Sequence, residues 1–472
     1  MNDSDGSAQG TSGSWRELFV GRIGVITGVL STGMTLFAIN TFVVATIMPT
    51  VVRDLGGVDF YSWAFSLFSV GAIVGAASAG PLRDALGARR SYALASVILA
   101  IGLTGGALAP DMPSFVATRL LQGIGGGAVA SQSYGLVALL YPRHLQSRML
   151  SVISTIWGVA TVAGPGYGGV FAEGGLWRAA LWSLVPLAIG VAVVGWRYIA
   201  GGAGHGRLSE MPYWRLALLA VSVLLLSVAT LTNAHWLQLV LVAVSIGLAA
   251  VAFVQDARAE RNMFPRQATA VLTEIGAAYW VLFLASIVLT FVNTYTTYYL
   301  QALHGIAPFT AGYLFSIQSL MWTVGALAVA TVPRTWEVPS IVAGLALILV
   351  ACVAIALTVV PGPVWAIAVA MAISGTGIGL MNNPLIQRII TAAPEAERHV
   401  AGTSVQTVRN IGVAYGAAAC GMVAAAAGLI DGAPRAVVAD AMQWVYRVNV
   451  VFAALSLVMV PCLVWGKRGR RD

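Results

Sequence analysis

Charge is what this sequence lacks. Only 9% of its 472 residues are Asp, Glu, Lys or Arg, against roughly a quarter in a soluble globular chain. That shortage excludes an ordinary water-soluble domain. Lysine is nearly absent: Lys467 stands alone, so the basic charge is arginine. Acidic groups are fewer than basic ones, 18 against 26, and none lies deep in a long apolar run. The net charge of +8 gives no reason to expect nucleic acid, because the arginines fall in scattered short loops. Three cysteines, Cys352, Cys420 and Cys462, sit in apolar runs without motif spacing. They read as small core residues and not as a disulfide or metal set. The five histidines lie in or beside predicted loops, and none pairs at ligand spacing. There is no Walker loop and no nucleophile elbow. No enzymatic activity, metal or cofactor is therefore expected.

What is present is apolar length. The chain is 58% hydrophobic with mean hydropathy +0.83. Runs near twenty residues fit helices that cross a bilayer, and the alternating ten-residue pattern of a membrane barrel is missing. Fourteen spans are predicted: 22–52, 61–82, 91–108, 114–140, 149–172, 179–198, 214–232, 236–254, 275–300, 309–332, 338–360, 364–390, 400–428 and 445–465. The fold class is an all-α integral membrane protein. Its organisation reads as a disordered tail 1–21, a six-helix unit 22–198, a linker 199–266 with two extra spans, a six-helix unit 267–466, and a tail 467–472. The extra pair carries few polar residues and reads as lipid-facing. Most arginines fall on the side of both termini, which places both termini in the cytoplasm. Tyr61, Trp63 and the tyrosines ending the ninth span (Tyr295, Tyr298, Tyr299) read as an outer aromatic belt. Residues 429–444 read as a polar outer loop before the last span.

Polar groups inside spans are the candidates for function, because each is costly in lipid and must face protein or water. They are Asn40; Arg119 and Gln122; Asn293 and Thr297; Gln318 and Trp322; Asn382 and Asn383; and Gln406, Arg409 and Asn410. Asn293 and Thr297 are one turn apart and suit a cavity mouth. Positions 406, 409 and 410 share a helix face. Three carboxylates at span boundaries, Asp84, Glu173 and Glu274, are the only candidates near the membrane for carrying a proton.

Four stretches carry a family resemblance. Between the second and third spans stands Gly80-Pro81-Leu82-Arg83-Asp84-Ala85-Leu86-Gly87-Ala88-Arg89-Arg90. The fourth span holds Arg119-Leu120-Leu121-Gln122-Gly123. The fifth holds Gly164-Pro165-Gly166-Tyr167-Gly168-Gly169. The first holds Asn40-Thr41 through Met48-Pro49. These resemble the signature motifs of the major facilitator superfamily, in its fourteen-span drug:proton antiporter branch. Arg409-Asn410-Ile411-Gly412 resembles the same branch. The resemblance implies two six-helix bundles around a central cavity that opens alternately to each side. It makes Gly80, Asp84, Gly87, Arg89 and Arg90 a latch on the outward-open state. It makes Gly164, Pro165, Gly168 and Gly169 the helix-packing motif on which the halves rock. One departure matters. The branch carries aspartate where this chain has Asn40, and an amide keeps the hydrogen bonding but cannot titrate.

The expected function is secondary active export of amphipathic drugs or small organic molecules, by a monomer in a bacterial-type plasma membrane, with protons as a candidate coupling ion. A cavity of arginines and amides without a carboxylate suits neutral or anionic amphipaths better than cations. Two alternatives are a facilitator or uptake carrier for a small polar solute, and a membrane receptor that transports nothing. Accumulation instead of depletion of substrate in cells marks the first, and loss of a titratable first-span group motivates the second.

Overall fold

An apolar run inside a bilayer can satisfy its backbone only by bonding to itself, and the chain does so throughout. The computed structural model describes residues 15–201, 213–232, 234–259, 262–329, 333–360 and 362–465, whose regular elements are all helices. Among the described residues, thirteen helices are long and apolar enough to cross a membrane. A fourteenth, richer in glycine and polar side chains, packs among them over Met112–Leu140.

In chain order the helices are α1 (Gly21–Leu55), α2 (Trp63–Leu86), α3 (Ala88–Leu108), α4 (Met112–Leu140) and α5 (Arg143–Glu173). One span then comes in two pieces, α6 (Trp177–Trp182) and α7 (Leu184–Tyr198). The extra pair is α8 (Tyr213–Val228) and α9 (His235–Arg258). The remainder are α10 (Glu274–Ala302), α11 (Pro308–Val329), α12 (Glu337–Thr358), α13 (Val364–Ala392), α14 (Arg398–Ala426), and α15 (Arg435–Val458) continued by α16 (Val460–Trp465). Helices α1 to α7 pack chiefly on one another, as do α10 to α16. The two groups meet where α5 faces α11 and α2 faces α14. The side holding Trp15 and Trp465 is called the terminal face here, and the opposite side, with the turns at 56–57 and 429–434, the distal face.

Glycine sets the tightest crossings. A Cβ at Gly75 would overlap the Ile124 carbonyl, and one at Gly123 the Phe68 carbonyl, so α2 and α4 touch backbone to backbone. In the second group Gly375 meets the Gln318 backbone and Gly379 that of Trp322, which brings α13 equally close to α11. Lipid offers no hydrophobic drive between helices, so such close contact is what holds them together.

Several expectations change. The Asp84 stretch, placed between spans ending at 82 and starting at 91, is not a loop. It is helical on both sides of one joint, Gly87, whose φ of +81° ends α2 and lets α3 start at Ala88. Within the expected disordered tail 1–21, Trp15–Phe19 form a short 3-10 helix with Leu18 fully buried, and α1 begins at Gly21. The last span begins at Arg435, ten residues before the expected start at 445, because polar residues extend it beyond its apolar stretch. The extra pair is not wholly lipid-facing. α9 exposes Trp236, Leu239 and Ile246, but α8 bonds into the protein. Ser66 and Ser227 hydroxyls lie 3.2 Å apart, Trp63 Nε1 donates to Thr230 at 3.0 Å, and the Tyr415 hydroxyl donates to Ser222 at 2.8 Å. Thus α8 ties α2 and α14 at once. Residues 1–14, the glycine-rich 202–206 and the tail 467–472 lie outside the described residues.

The packing predicts that Gly123→Ala, despite its better helix propensity, costs about 1–3 kcal/mol by overpacking. Gly158→Ala, whose new methyl would meet nothing within 4 Å, should be neutral or slightly stabilising. Thermal melting of the two variants in detergent checks the contrast, and equal melting points would contradict the backbone contact.

Candidate functional site

The fifth-span glycines and proline build the seam. Gly164 and Gly168, one turn apart, face α1: Cβ atoms there would lie 2.6 Å from Phe42 Cβ and 3.1 Å from the Val43 carbonyl. Pro165 and Gly169 share the neighbouring face and meet α11. Pro165 Cβ lies 3.0 Å from a Cβ built at Gly312, and a Cβ at Gly169 would lie 2.6 Å from Phe309 Cα. The motif therefore serves both as α5's bed on its own bundle and as the surface the other bundle rests on.

That seam is closed only from the distal face to mid-depth. The Phe309 N–H donates to Glu173 at 3.2 Å, and the Ser316 hydroxyl donates to the Thr161 carbonyl at 2.9 Å. On α1 and α10 the Thr297 hydroxyl donates to the Ala45 carbonyl at 2.7 Å. Tyr61 stacks on Tyr295 at 4.9 Å between ring centroids, with Tyr298 edge-on at 5.3 Å. Above them the Asp431 carboxylate accepts the Gly57 N–H and, at 2.8 Å, the Val58 N–H. Tyr61, Tyr295 and Tyr299 are fully buried. The aromatic-belt expectation fails for these three residues, and two of them, Tyr61 and Tyr295, are a plug between the bundles. Thr297, expected at a cavity mouth, is sealed in the same closure. Asn293 is partly buried one turn below.

Towards the terminal face the bundles splay. Ser154, Thr155, Gly158 and Val159 on α5 are exposed, as are Leu320, Thr323 and Val324 on α11. A cavity of about 250 Å³ opens between α1 and α5, with Thr35, Ile39, Thr155 and Val159 on its walls and Trp15 at its mouth. Across the gap the structure gathers five expected residues. Arg409 Nη2 donates to Asn382 Oδ1 at 2.7 Å, Asn382 Nδ2 to Asn383 Oδ1 at 3.2 Å, and Gln406 Nε2 to Asn410 Oδ1 at 3.0 Å. Tyr134 of α4, 46% exposed, lies near Trp157 and within electrostatic reach of Arg409. Tyr134 and Trp157 are missing from the sequence expectations. The one signal was an aromatic after the polar run Ser131-Gln132-Ser133.

The other expected cavity residues are enclosed in this conformation. Arg119, 1% exposed, donates from Nε to the Ala64 carbonyl at 3.0 Å and from Nη1 to Gln122 Oε1 at 2.6 Å, and its guanidinium lies 4.1 Å from the Phe68 ring centroid. Gln122 Oε1 also accepts from Asn40 Nδ2 at 3.2 Å, and Gln122 Nε2 donates to the Gly102 carbonyl at 3.0 Å. The network holds a fixed charge and amides, and nothing in it titrates near neutral pH. Asn40 Oδ1 is buried without a hydrogen-bond partner. Gln318 is also buried and donates to Ser374 at 3.0 Å, tying α11 to α13, while Trp322 packs on the second bundle's core.

The expected latch is unengaged. The Asp84 side chain is 60% exposed and pairs with the adjacent Arg83 at 3.3 Å. Arg89 lies over the Trp196 ring at 4.7 Å, within its own bundle. Gly80 has open space around it and Arg90 is exposed. Of the proton candidates, Glu173 caps α11 as above, and Glu274 pairs with Arg388 at 2.9 Å. No group of His, Cys, Asp and Glu among the described residues could hold a metal ion.

Comparison with known proteins gives the same picture. The sequence matches the Major Facilitator Superfamily over residues 30–417. A protein of Mycobacterium tuberculosis named as a probable multidrug-efflux transporter is 32% identical over 432 residues, 87% of this chain and 90% of that one. The methylenomycin A resistance protein of Streptomyces coelicolor is 27% identical over 407 residues, 83% and 85% of the two chains. Among solved structures, a D-xylose–proton symporter superposes with TM-score 0.65 at 16% identity, covering 93% of this chain and 97% of that one.

The distal closure predicts that Asp431→Ala, which strips two N–H groups of their acceptor, shifts the protein towards distal opening. With a cysteine probe behind the tyrosines (Asn293→Cys), labelling from the distal side by a membrane-impermeant maleimide should speed up several-fold. Unchanged labelling would show that Asp431 does not hold the gate.

Proposed function

Because the chain belongs to the major facilitator superfamily, we propose that this multi-pass membrane transporter exports amphipathic drugs or other small organic molecules by alternating access. The observation that carries the reading is the wedge. The bundles are sealed by Tyr61, Tyr295, Thr297 and Asp431 at one face and splayed around a polar patch at the other. A single closed layer with a water-reachable site beneath it is one half of an alternating-access cycle. The names of the relatives support outward movement of toxic organic molecules.

In this reading residues 22–198 and 267–466 are the two rocking units, residues 199–266 carry the extra pair, and the monomer is the working form. Both termini are cytoplasmic. The support is arginine placement: Arg22, Arg83, Arg89, Arg90, Arg197, Arg258 and Arg266 lie towards the terminal face, against Arg53, Arg178 and Arg435 at the distal face. The wedge then opens to the cytoplasm, where an exporter collects its cargo. The Asp84 stretch engages only when the cytoplasmic ends close, which fits its exposure here. The substrate surface is Asn382, Asn383, Gln406, Arg409 and Asn410, with Tyr134 and Trp157 opposite. Asn40, Arg119 and Gln122 form a rigid network beside it.

Protons enter this reading only through carboxylates outside the first span. Asp84, Glu173 and Glu274 each have a visible structural partner, and their amide variants separate the two roles. A carrier loses gradient dependence at unchanged melting temperature, whereas a structural residue loses stability.

The test is transport of a panel of fluorescent amphipaths in proteoliposomes, with and without an imposed pH gradient, for the native chain and Asn40→Asp. The native chain should move at least one panel member. Asn40→Asp should steepen the pH dependence, since an acid beside Gln122 and Arg119 titrates where the amide does not. Accumulation instead of depletion of the same compounds in intact cells would favour the uptake carrier. Movement by neither protein would favour the receptor.

A further inference from the structure

The polar patch in the wedge has a chemistry more specific than its polarity. Arg409 lies eleven residues into α14 and Asn382 ten residues before the end of α13. Each is therefore about 15 Å along its helix from the terminal end, which places it inside the hydrocarbon region and short of the middle. At that depth Asn383 and Gln406 are exposed, and exposed amides there face water in the wedge, not lipid.

Among the described residues no carboxylate pairs with the charge at this site. The hydrogen-bond partner of Arg409 is the neutral Asn382, and the charged or titratable side chain acting on it is the Tyr134 phenol. Most of the described carboxylates are committed elsewhere. Asp54 pairs with Arg178, Asp256 with Arg215, Glu274 and Glu337 with Arg388, Glu17 with His144, and Glu397 with Arg266. Glu173, Asp431 and Asp111 accept backbone N–H groups. Arg119 is likewise without a carboxylate, but it is enclosed by protein and a solute cannot reach it. Arg409, by contrast, is only partly buried and borders the exposed Gln406 and Asn383. Around it stand amides that can turn their N–H groups inward, and the rings of Tyr134 and Trp157.

We propose that this site binds amphipathic organic anions, with the carboxylate or sulfonate on Arg409 and the Asn382, Gln406 and Asn410 amides, and the apolar body against Tyr134 and Trp157. The inference rests on the export reading and names its substrate class. Guanidinium and carboxylate form charge-assisted paired hydrogen bonds that a neutral ester cannot replace. A cationic head meets an uncompensated like charge and is disfavoured.

Three probes with one fluorophore separate the possibilities: dansylglycine (anionic), its methyl ester (neutral) and dansylcadaverine (cationic). Dansyl fluorescence is titrated on the full chain in detergent, and flux of each is followed in proteoliposomes. The native protein should bind the acid about tenfold or more tighter than the ester, and the amine weakest, with fluxes in the same order. Arg409→Gln should bring acid and ester within about twofold, at an unchanged melting temperature that shows the variant is folded. Arg409→Lys should keep part of the preference, since charge remains but the paired geometry is lost. Equal binding and transport of all three probes by the native chain would overturn the anion class and leave export standing. A preference that survives Arg409→Gln would overturn the assignment to Arg409. Binding and flux of none would overturn both this inference and the export reading.

Discussion

A positive charge at membrane depth must be answered by something, and this protein answers two of them without a carboxylate. Arg119 is met by a backbone carbonyl, an amide oxygen and the face of Phe68. It is locked, and around it α2, α3 and α4 are tied as well, because its partners Ala64 and Gln122 lie on α2 and α4 and Gln122 in turn donates to the Gly102 carbonyl on α3. Arg409 is met by one amide and left partly open. The difference between a satisfied and an unsatisfied guanidinium is the difference between a structural strut and a proposed binding group. The same residue type plays both parts because only one of the two faces the wedge.

The wedge itself follows from where small residues are placed. Gly164, Pro165, Gly168 and Gly169 lie in the distal half of α5, and there the opposing helices approach to backbone contact. Closer to the terminal face the α5 residues carry hydroxyls and branched side chains, and no comparable contact with α11 forms. Rocking needs a smooth bearing and a fixed lever arm. The glycine–proline face gives the first, and the tight α2–α4 and α11–α13 crossings, which keep each bundle rigid, give the second.

Most of the fold was legible because apolar length is a direct signature of a span. The fifth-span motif was legible for the same kind of reason: small residues at a four-residue spacing can only mean close approach. The gate was not. Tyr61 and Tyr295 sit at the helix level where an aromatic belt belongs, and composition cannot distinguish a ring facing lipid from one facing another helix. The tie made by α8 was hidden because Ser222, Ser227 and Thr230 are individually too weakly polar to mark a buried face. The early start of α15 was missed because a helix projecting beyond its apolar stretch carries charges such as Arg435 and Asp440 that read as loop. Within the candidate site, Asn382, Asn383, Gln406, Arg409 and Asn410 were found as costly polar groups in spans. The partners supplied by α4 and α5 were not, since juxtaposition across the wedge is a property of the folded pair of bundles.

The attachment of α8 to both α2 and α14 makes the molecule lopsided. A two-bundle transporter has two lateral seams. Here one is roofed by a helix hydrogen-bonded to both of its edges. The other, between α5 and α11, carries no such roof among the described residues and parts into the wedge. For a solute dissolved in the leaflet on the terminal side the two flanks are not equivalent. The roofed flank is tied shut by side-chain hydrogen bonds, and the bare flank is not. The inserted helices thus give the protein a front and a back within the plane of the membrane.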